Sequence, residues 1–132
     1  MNRRNFSLGF LAILFSMAAA LLVRSSFRHE GQKRIDTARR DLQIITQAEL
    51  RHIEKQREFA GIDELVLIGE LGPEMRGRNG YVYRVRLKGN GISASAVPSP
   101  KENLPGLVNH TFGPGIAPLL AKLKNPGLTE KD

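Results

Sequence analysis

The chain has 132 residues, with 20 Lys or Arg against 13 Asp or Glu, a net charge of +7 and no cysteine. A chain this short forms one small domain at most once a membrane segment is subtracted. The lack of cysteine excludes a disulfide framework, a thiolate metal site and a cysteine nucleophile, so packing alone must hold the fold.

The first element is an anchor. The 19 residues from Asn5 to Val23 carry no charge, and within them FSLGFLAILFSMAAALLV (Phe6 to Val23) also lacks proline. At 1.5 Å per residue this run reaches roughly 27 Å, close to the ~30 Å hydrocarbon core of a bilayer. A secretory apolar region is normally about 7–15 residues, so the sequence predicts a single-pass signal-anchor. The division expected is a cytoplasmic tail over 1–5 and a membrane span over 6–27. The span is carried by Phe6, Leu8, Phe10, Leu11, Ile13, Leu14, Phe15, Leu21, Leu22 and Val23. Arg3, Arg4 and the amino terminus favour a cytoplasmic N-terminus, whereas Arg24, Arg28, Lys33 and Arg34 oppose it. The short tail decides the expectation for N-in, C-out. Ala18-Ala19-Ala20 offers small residues to a signal peptidase, and Arg3-Arg4-Asn5-Phe6-Ser7-Leu8 resembles a twin-arginine export motif. Both are set aside in favour of an uncleaved anchor with a charged flank.

Residues 28–60 form the second element, with the amphipathic pattern running from Ile35 to Ala60. At ~100° per residue, Ile35, Ala38, Leu42, Ile45, Ala48, Ile53, Phe59 and Ala60 share an arc of about 140°, the width of a core-facing stripe. Ile44 and Leu50 break the pattern. Glu49 and His52 fall on the apolar arc one turn apart. A catalytic pair would need a third group at matching spacing and none is present, so the preferred reading is a polar rim or a buried pair bonding to the sheet. Ser25-Ser26 and Gly31 are placed to loosen the join between the two helical segments. The pattern ends at Ala60-Gly61, with Gly61 expected in the left-handed position after the helix.

Residues 61–115 read as a small antiparallel β region. Ile62 to Gly69 is compatible with a short helix or a strand. Gly72 to Gly80 is a basic, glycine-rich connector that lacks the strand-to-helix context of a phosphate loop. Tyr81, Tyr83, Val85 and Leu87 then alternate with Val82, Arg84, Arg86 and Lys88, the signature of a half-buried strand. Gly89-Asn90-Gly91 makes the turn, and Ile92, Ala94 and Ala96 resume the alternation. Large side chains on one strand and alanines on the other suit this hairpin to a helix, so the predicted core joins Ile35, Leu42, Ile45 and Ile53 to Tyr81, Tyr83, Val85, Leu87 and Ile92. Val97-Pro98-Ser99-Pro100 ends the strand, and Leu107 to Phe112 suggests a third. Residues 116–132 read as a short helix over Ile116 to Lys124, closed by Asn125-Pro126-Gly127, and a tail.

Charge bears on partners. Residues 1–58 carry +5 and residues 59–132 carry +2, so the excess is greatest in the half nearest the anchor, where basic groups favour anionic headgroups by ~1 kcal/mol each. Basic and acidic residues interleave and no aromatic-basic platform stands out, so no specific nucleic-acid partner is expected.

Three stretches in the same order carry a family resemblance. Ile45-Thr46-Gln47-Ala48-Glu49-Leu50-Arg51-His52 resembles an I-x-x-A-E-x-x-Y helix stretch. Gly80-Tyr81-Val82-Tyr83 resembles a G-Y-x-F strand start, and Ala94-Ser95-Ala96-Val97-Pro98 with Pro105-Gly106 resembles A-x-A-x-P…P-G. Over residues 35–106 this is similar to type IV pilins and the pseudopilins of type II secretion. The resemblance implies an α+β fold in which a long N-terminal helix, half in the membrane, packs on a small antiparallel sheet. It also implies a non-enzymatic assembly role with no cofactor or metal, and partners among pilin-like subunits, as homo- or hetero-oligomers, or secretion machinery. The processing motif departs from the family: Gly9-Phe10 stands at the cleavage position, and Leu14 occupies the place of the acidic residue. His52 replaces the tyrosine. The alternative expectation is a plain signal-anchor envelope protein whose domain binds a partner without forming a filament.

Overall fold

The structure is a computed structural model and describes residues 3–124, with side chains described from Leu11 onward. Phe6, Leu8 and Phe10 of the predicted anchor and Gly9 of the processing position therefore lie outside the described side chains, and the Asn125-Pro126-Gly127 closure lies outside the described residues. The chain divides into two compact units, Met1–Lys33 and Arg34–Asp132.

Helix α1 spans Arg3–Gln56. Among the described residues of the first unit, Leu11, Ile13, Leu14, Phe15, Leu21, Leu22 and Val23 are all exposed. One stretch of the helix is long and apolar enough, by length and composition, to cross a membrane. Ser16, Ser25 and Ser26 each donate their hydroxyl back to a carbonyl one turn earlier, which leaves no free donor on those side chains. Ser16 Oγ donates to Ala12 O at 2.9 Å, Ser25 Oγ to Leu22 O at 2.8 Å and Ser26 Oγ to Leu22 O at 3.0 Å. Ser25, Ser26 and Gly31 all lie within α1 rather than interrupting it.

The second unit has an α+β architecture. The Arg34–Gln56 part of α1 lies on one face of a four-stranded antiparallel sheet. Ala38, Leu42, Ile45, Ala48 and Ile53 form its buried stripe at helical spacing. Ile44 is exposed and Leu50 half-buried, as the break in pattern implies. Ile35 is only half-buried, because it sits one residue inside the start of the unit, where few neighbours cover it.

Two boundaries differ from expectation. Helix α1 ends at Gln56 rather than Ala60, and the left-handed residue after it is Arg57 (φ 56°), whose N–H donates to Ile53 O at 2.8 Å. Gly61 does take the expected left-handed conformation (φ 78°), but at the start of helix α2, Gly61–Leu67, which settles the ambiguous segment as helical. Phe59, Ile62 and Leu65 from this corner enter the core. The connector that follows is also structured. A 3-10 turn, Pro73–Arg76, buries Met75, and the two-residue strand β1, Gly77–Arg78, pairs with the next strand.

Strand β2, Tyr81–Lys88, alternates buried and exposed without exception. Its pairing with β3, Gly91–Pro98, puts Tyr83 opposite Ala96, Val85 opposite Ala94 and Leu87 opposite Ile92. Small residues beside large ones leave room for the helix, and Ala94, Ala96 and Ile92 are fully buried. Strand β4, Leu107–Thr111, completes the order β1-β2-β3-β4, and helix α3, Ile116–Ala121, is followed by Leu123 packed on the core.

This register makes a contrast between neighbours. Tyr83 is 4 % exposed and faces the helix, whereas Arg84 faces away. Tyr83→Ala should cost on the order of 3 kcal/mol and Arg84→Ala less than about 0.5 kcal/mol in urea-unfolding measurements. Equal costs at the two positions would contradict the register.

Candidate functional site

Between α1 and the sheet lies a charged cluster inside an otherwise apolar seam. The stripe of α1 brings Asp41 to the sheet, one residue before Leu42, and leaves it 1 % exposed. An isolated buried carboxylate is costly, so it must be paired and hydrogen-bonded. Arg78 of β1 provides a two-pronged contact: Nη2 donates to Asp41 Oδ1 at 2.6 Å and Nε to Oδ2 at 2.8 Å. The Tyr83 hydroxyl donates to the same Oδ2 at 2.7 Å. The fork geometry of arginine suits this carboxylate, and the phenol adds a third donor. Asp41 holds the Arg78 guanidinium proton more firmly than usual. Burial, helped by the bond to Asp41, pushes the Tyr83 phenol above its ordinary range. Every hydrogen bond in the cluster is made to the Asp41 carboxyl oxygens by a guanidinium and a phenol that both keep their protons more firmly than usual, which makes it a tie and not a proton-transfer site.

Arg78 reaches this position because β1 and β2 form a tight hairpin. Asn79 (φ 55°) and Gly80 (φ 85°) occupy the two-residue turn, and Arg78 pairs with Tyr81. An Asn-Gly pair before an alternating strand is a strong hairpin signal, and it was the available clue to β1.

Glu49 performs a second tie. It is fully buried, and its carboxylate accepts N–H bonds from Ala60 (2.8 Å) and Gly61 (3.1 Å), the first residues of the α2 corner. It therefore caps the start of α2, a helix with no side-chain cap of its own. The expected bond to the sheet is replaced by one to a corner just beyond the same helix. This explains why α1 stops at Gln56: the chain must turn back within four residues to present these two N–H groups. Burial raises the Glu49 pKa, against the opposing pull of the two N–H bonds and of His52. His52 is buried beside it, with Nε2 making no hydrogen bond among the described residues.

The sequence-predicted core residues Leu42, Ile45, Ile53, Tyr81, Tyr83, Val85, Leu87 and Ile92 all join one cluster. Asp41 and Arg78, the charged centre of that cluster, carried no motif of their own. The Tyr81 hydroxyl donates to Pro105 O at 3.0 Å, which ties the sheet to the loop before β4. Among the described residues no group of three His, Cys, Asp or Glu side chains is arranged to hold a metal ion. No protein-family model, curated protein or solved structure matches the chain.

Removing Arg78 leaves Asp41 buried with only the Tyr83 bond. Arg78→Ala should cost about 3 kcal/mol of unfolding free energy, several times the cost of removing Arg84 on the opposite face of the sheet. A cost near zero would show that Asp41 is hydrated and the tie unimportant.

A carboxyl group with a raised pKa binds its proton more tightly in the folded than in the unfolded chain. The Glu49 contribution is therefore most favourable below its ordinary value of 4.5 and declines as pH rises through its folded pKa. Glu49→Gln loses one of the two acceptors but also this titration. The stability difference between the two chains should shift in favour of the variant as pH is raised from about 4.5, measured by urea unfolding. A difference that is constant with pH would contradict the raised pKa.

Proposed function

We propose that this chain is a pilin- or pseudopilin-like assembly protein, non-enzymatic, anchored in the bacterial inner membrane with its N-terminus cytoplasmic and its α+β domain on the periplasmic or outer side. The observation that carries this reading is the double use of α1. Over Leu11–Val23 the helix is apolar and exposed on all sides, and from Ala38 to Ile53 it turns one stripe into a sheet. Such a helix has a lipid- or subunit-facing half and a domain-holding half. The three resembling stretches also carry the domain's ties. Glu49 of the first holds the α2 corner, and Tyr81 of the second bonds to Pro105 of the third. Partners on this reading are the membrane and other pilin-like subunits or secretion machinery, with no cofactor.

One residue favours the second reading, a signal-anchor envelope protein that binds a partner without assembling. Leu14 stands where a pilin-like subunit carries the carboxylate that neutralises its neighbour's new amino terminus. An unpaired charge there costs at least ~2.5 kcal/mol on insertion scales. The chain is therefore expected to remain uncleaved at Gly9-Phe10, or to act as a minor subunit at a filament tip, where no preceding neighbour is needed.

Fractionation and mass spectrometry of the mature amino terminus test this. The protein should stay with membranes in high salt and leave them in detergent, with Met1 intact or with a Phe10 start confined to filament ends. A mature chain starting at Phe10 along the whole filament would overturn the role given to Leu14. A soluble form starting near Leu21 would remove the anchor, and an intact chain with no filament association would promote the second reading.

A further inference from the structure

The face of the sheet turned away from α1 has a composition unlike the rest of the molecule. On β2 the outward positions are Val82, Arg84, Arg86 and Lys88, all exposed. The pairing register puts Ser95 beside Arg84, Ser93 beside Arg86 and Gly91 beside Lys88. Across the next ladder it puts Val108 beside Ser95 and His110 beside Ser93. Phe112 follows in the same alternation, 59 % exposed, and its ring stacks on His110 with centroids 5.7 Å apart and planes at 27°. The absence of a side chain at Gly91 leaves room for the ring, since a Cβ there would fall 2.6 Å from Phe112 Cδ1.

Three rows result: cations along β2, Ser93 and Ser95 in the middle, and the stacked His110–Phe112 pair at the end of β4, with exposed Val82, Val97 and Val108 closing the other end. Successive cations are about 6.8 Å apart along the strand, and the ring row lies two strands, about 10 Å, from the cation row. Among the described residues no Asp or Glu occupies an outward position of β2, β3 or β4. The platform is invisible in the linear sequence because Arg84 and Phe112 are brought together only by the register.

We infer that this face binds single-stranded nucleic acid without sequence preference, its phosphates lying on Arg84, Lys88 and the serine hydroxyls and its bases stacking on the His110–Phe112 rings. Charge complementarity requires an anionic partner, and base–aromatic stacking requires a planar one. A lipid headgroup surface fits less well. It would use the cations, but it offers no planar group to stack on the His110–Phe112 pair. The inference goes beyond the assembly reading and does not depend on whether the chain forms filaments.

The test uses the full chain in neutral phosphatidylcholine nanodiscs and a fluorescein-labelled single-stranded DNA of mixed sequence, about 16 nucleotides long. Fluorescence anisotropy should show binding that weakens as salt is raised. Arg84→Glu with Lys88→Glu should weaken it about tenfold or more, and Phe112→Ala about fivefold or more. Arg51→Glu, an exposed charge reversal on α1 outside this face, should leave it within about twofold. Circular dichroism on each variant separates loss of binding from loss of fold, and Arg84→Gln with Lys88→Gln should show the same order of effects. Absence of binding by the unaltered chain at low salt would overturn the inference. So would equal weakening by Arg51→Glu, which would reduce the effect to net charge. Loss of attachment to phosphatidylglycerol vesicles in the Arg84→Glu, Lys88→Glu chain, with DNA binding unchanged, would assign the face to lipid headgroups instead.

Discussion

The organisation of the folded unit depends on one buried carboxylate. Asp41 is placed among apolar side chains and almost completely withdrawn from solvent, and it is acceptable there only because three donors converge on it. Those donors come from two different strands, so the bond fixes how α1 lies on the sheet as well as whether it does. Apolar contacts between Leu42, Ile45, Tyr83 and Val85 supply most of the attraction, at ~1.5–3 kcal/mol for each fully buried side chain, but such contacts are nondirectional. A sliding or rotated helix would preserve much of that area while stranding Asp41. The ion pair selects the register, and the greasy stripe stabilises it. Arg78 remains 38 % exposed, so the tie also opens to solvent at one edge.

The same logic accounts for the corner after α1. A left-handed arginine at position 57 is an unfavourable choice by backbone sterics, yet it brings Ala60 and Gly61 to the carboxylate of Glu49. Two acidic residues two turns apart on one stripe thus hold the two neighbours of the helix: Asp41 the sheet, Glu49 the next helix. Neither arrangement resembles a catalytic site, because in each the polar atoms are consumed by fixed donors.

Much of the fold was legible in the sequence where a period carried it. The strict alternation from Tyr81 to Lys88, the Gly89-Asn90 turn and the helical spacing of Ala38, Leu42, Ile45 and Ile53 each map onto the observed element. What could not be read was anything set by contacts distant in sequence. Asp41 and Arg78 are charged residues 37 positions apart, and each alone looks like ordinary solvated surface. Glu49 stood out for lying on the apolar arc, but its partners are backbone N–H groups, which have no side-chain signature. Helix α1 ends at Gln56, before the left-handed Gly61, because Glu49 draws the N–H groups of Ala60 and Gly61 back towards the helix. The outer sheet face shows the same gap, since its cation row is legible as an alternation and its ring row requires the β3–β4 register.

The first unit contains a helix long and apolar enough to cross a membrane. Its apolar side chains have no protein partners among the described residues, and its serines already satisfy their hydroxyls along the helix. These residues are exposed, whereas the second unit contains its own core. The central claim is that Asp41 couples helix and sheet as a single polar unit, and a double-mutant cycle with Asp41→Asn and Tyr83→Phe measures it most directly. Urea unfolding of the two single variants and the double variant should give a coupling energy of about 1 kcal/mol or more. Additive losses, agreeing within about 0.3 kcal/mol, would show that the two groups act independently and would contradict the account.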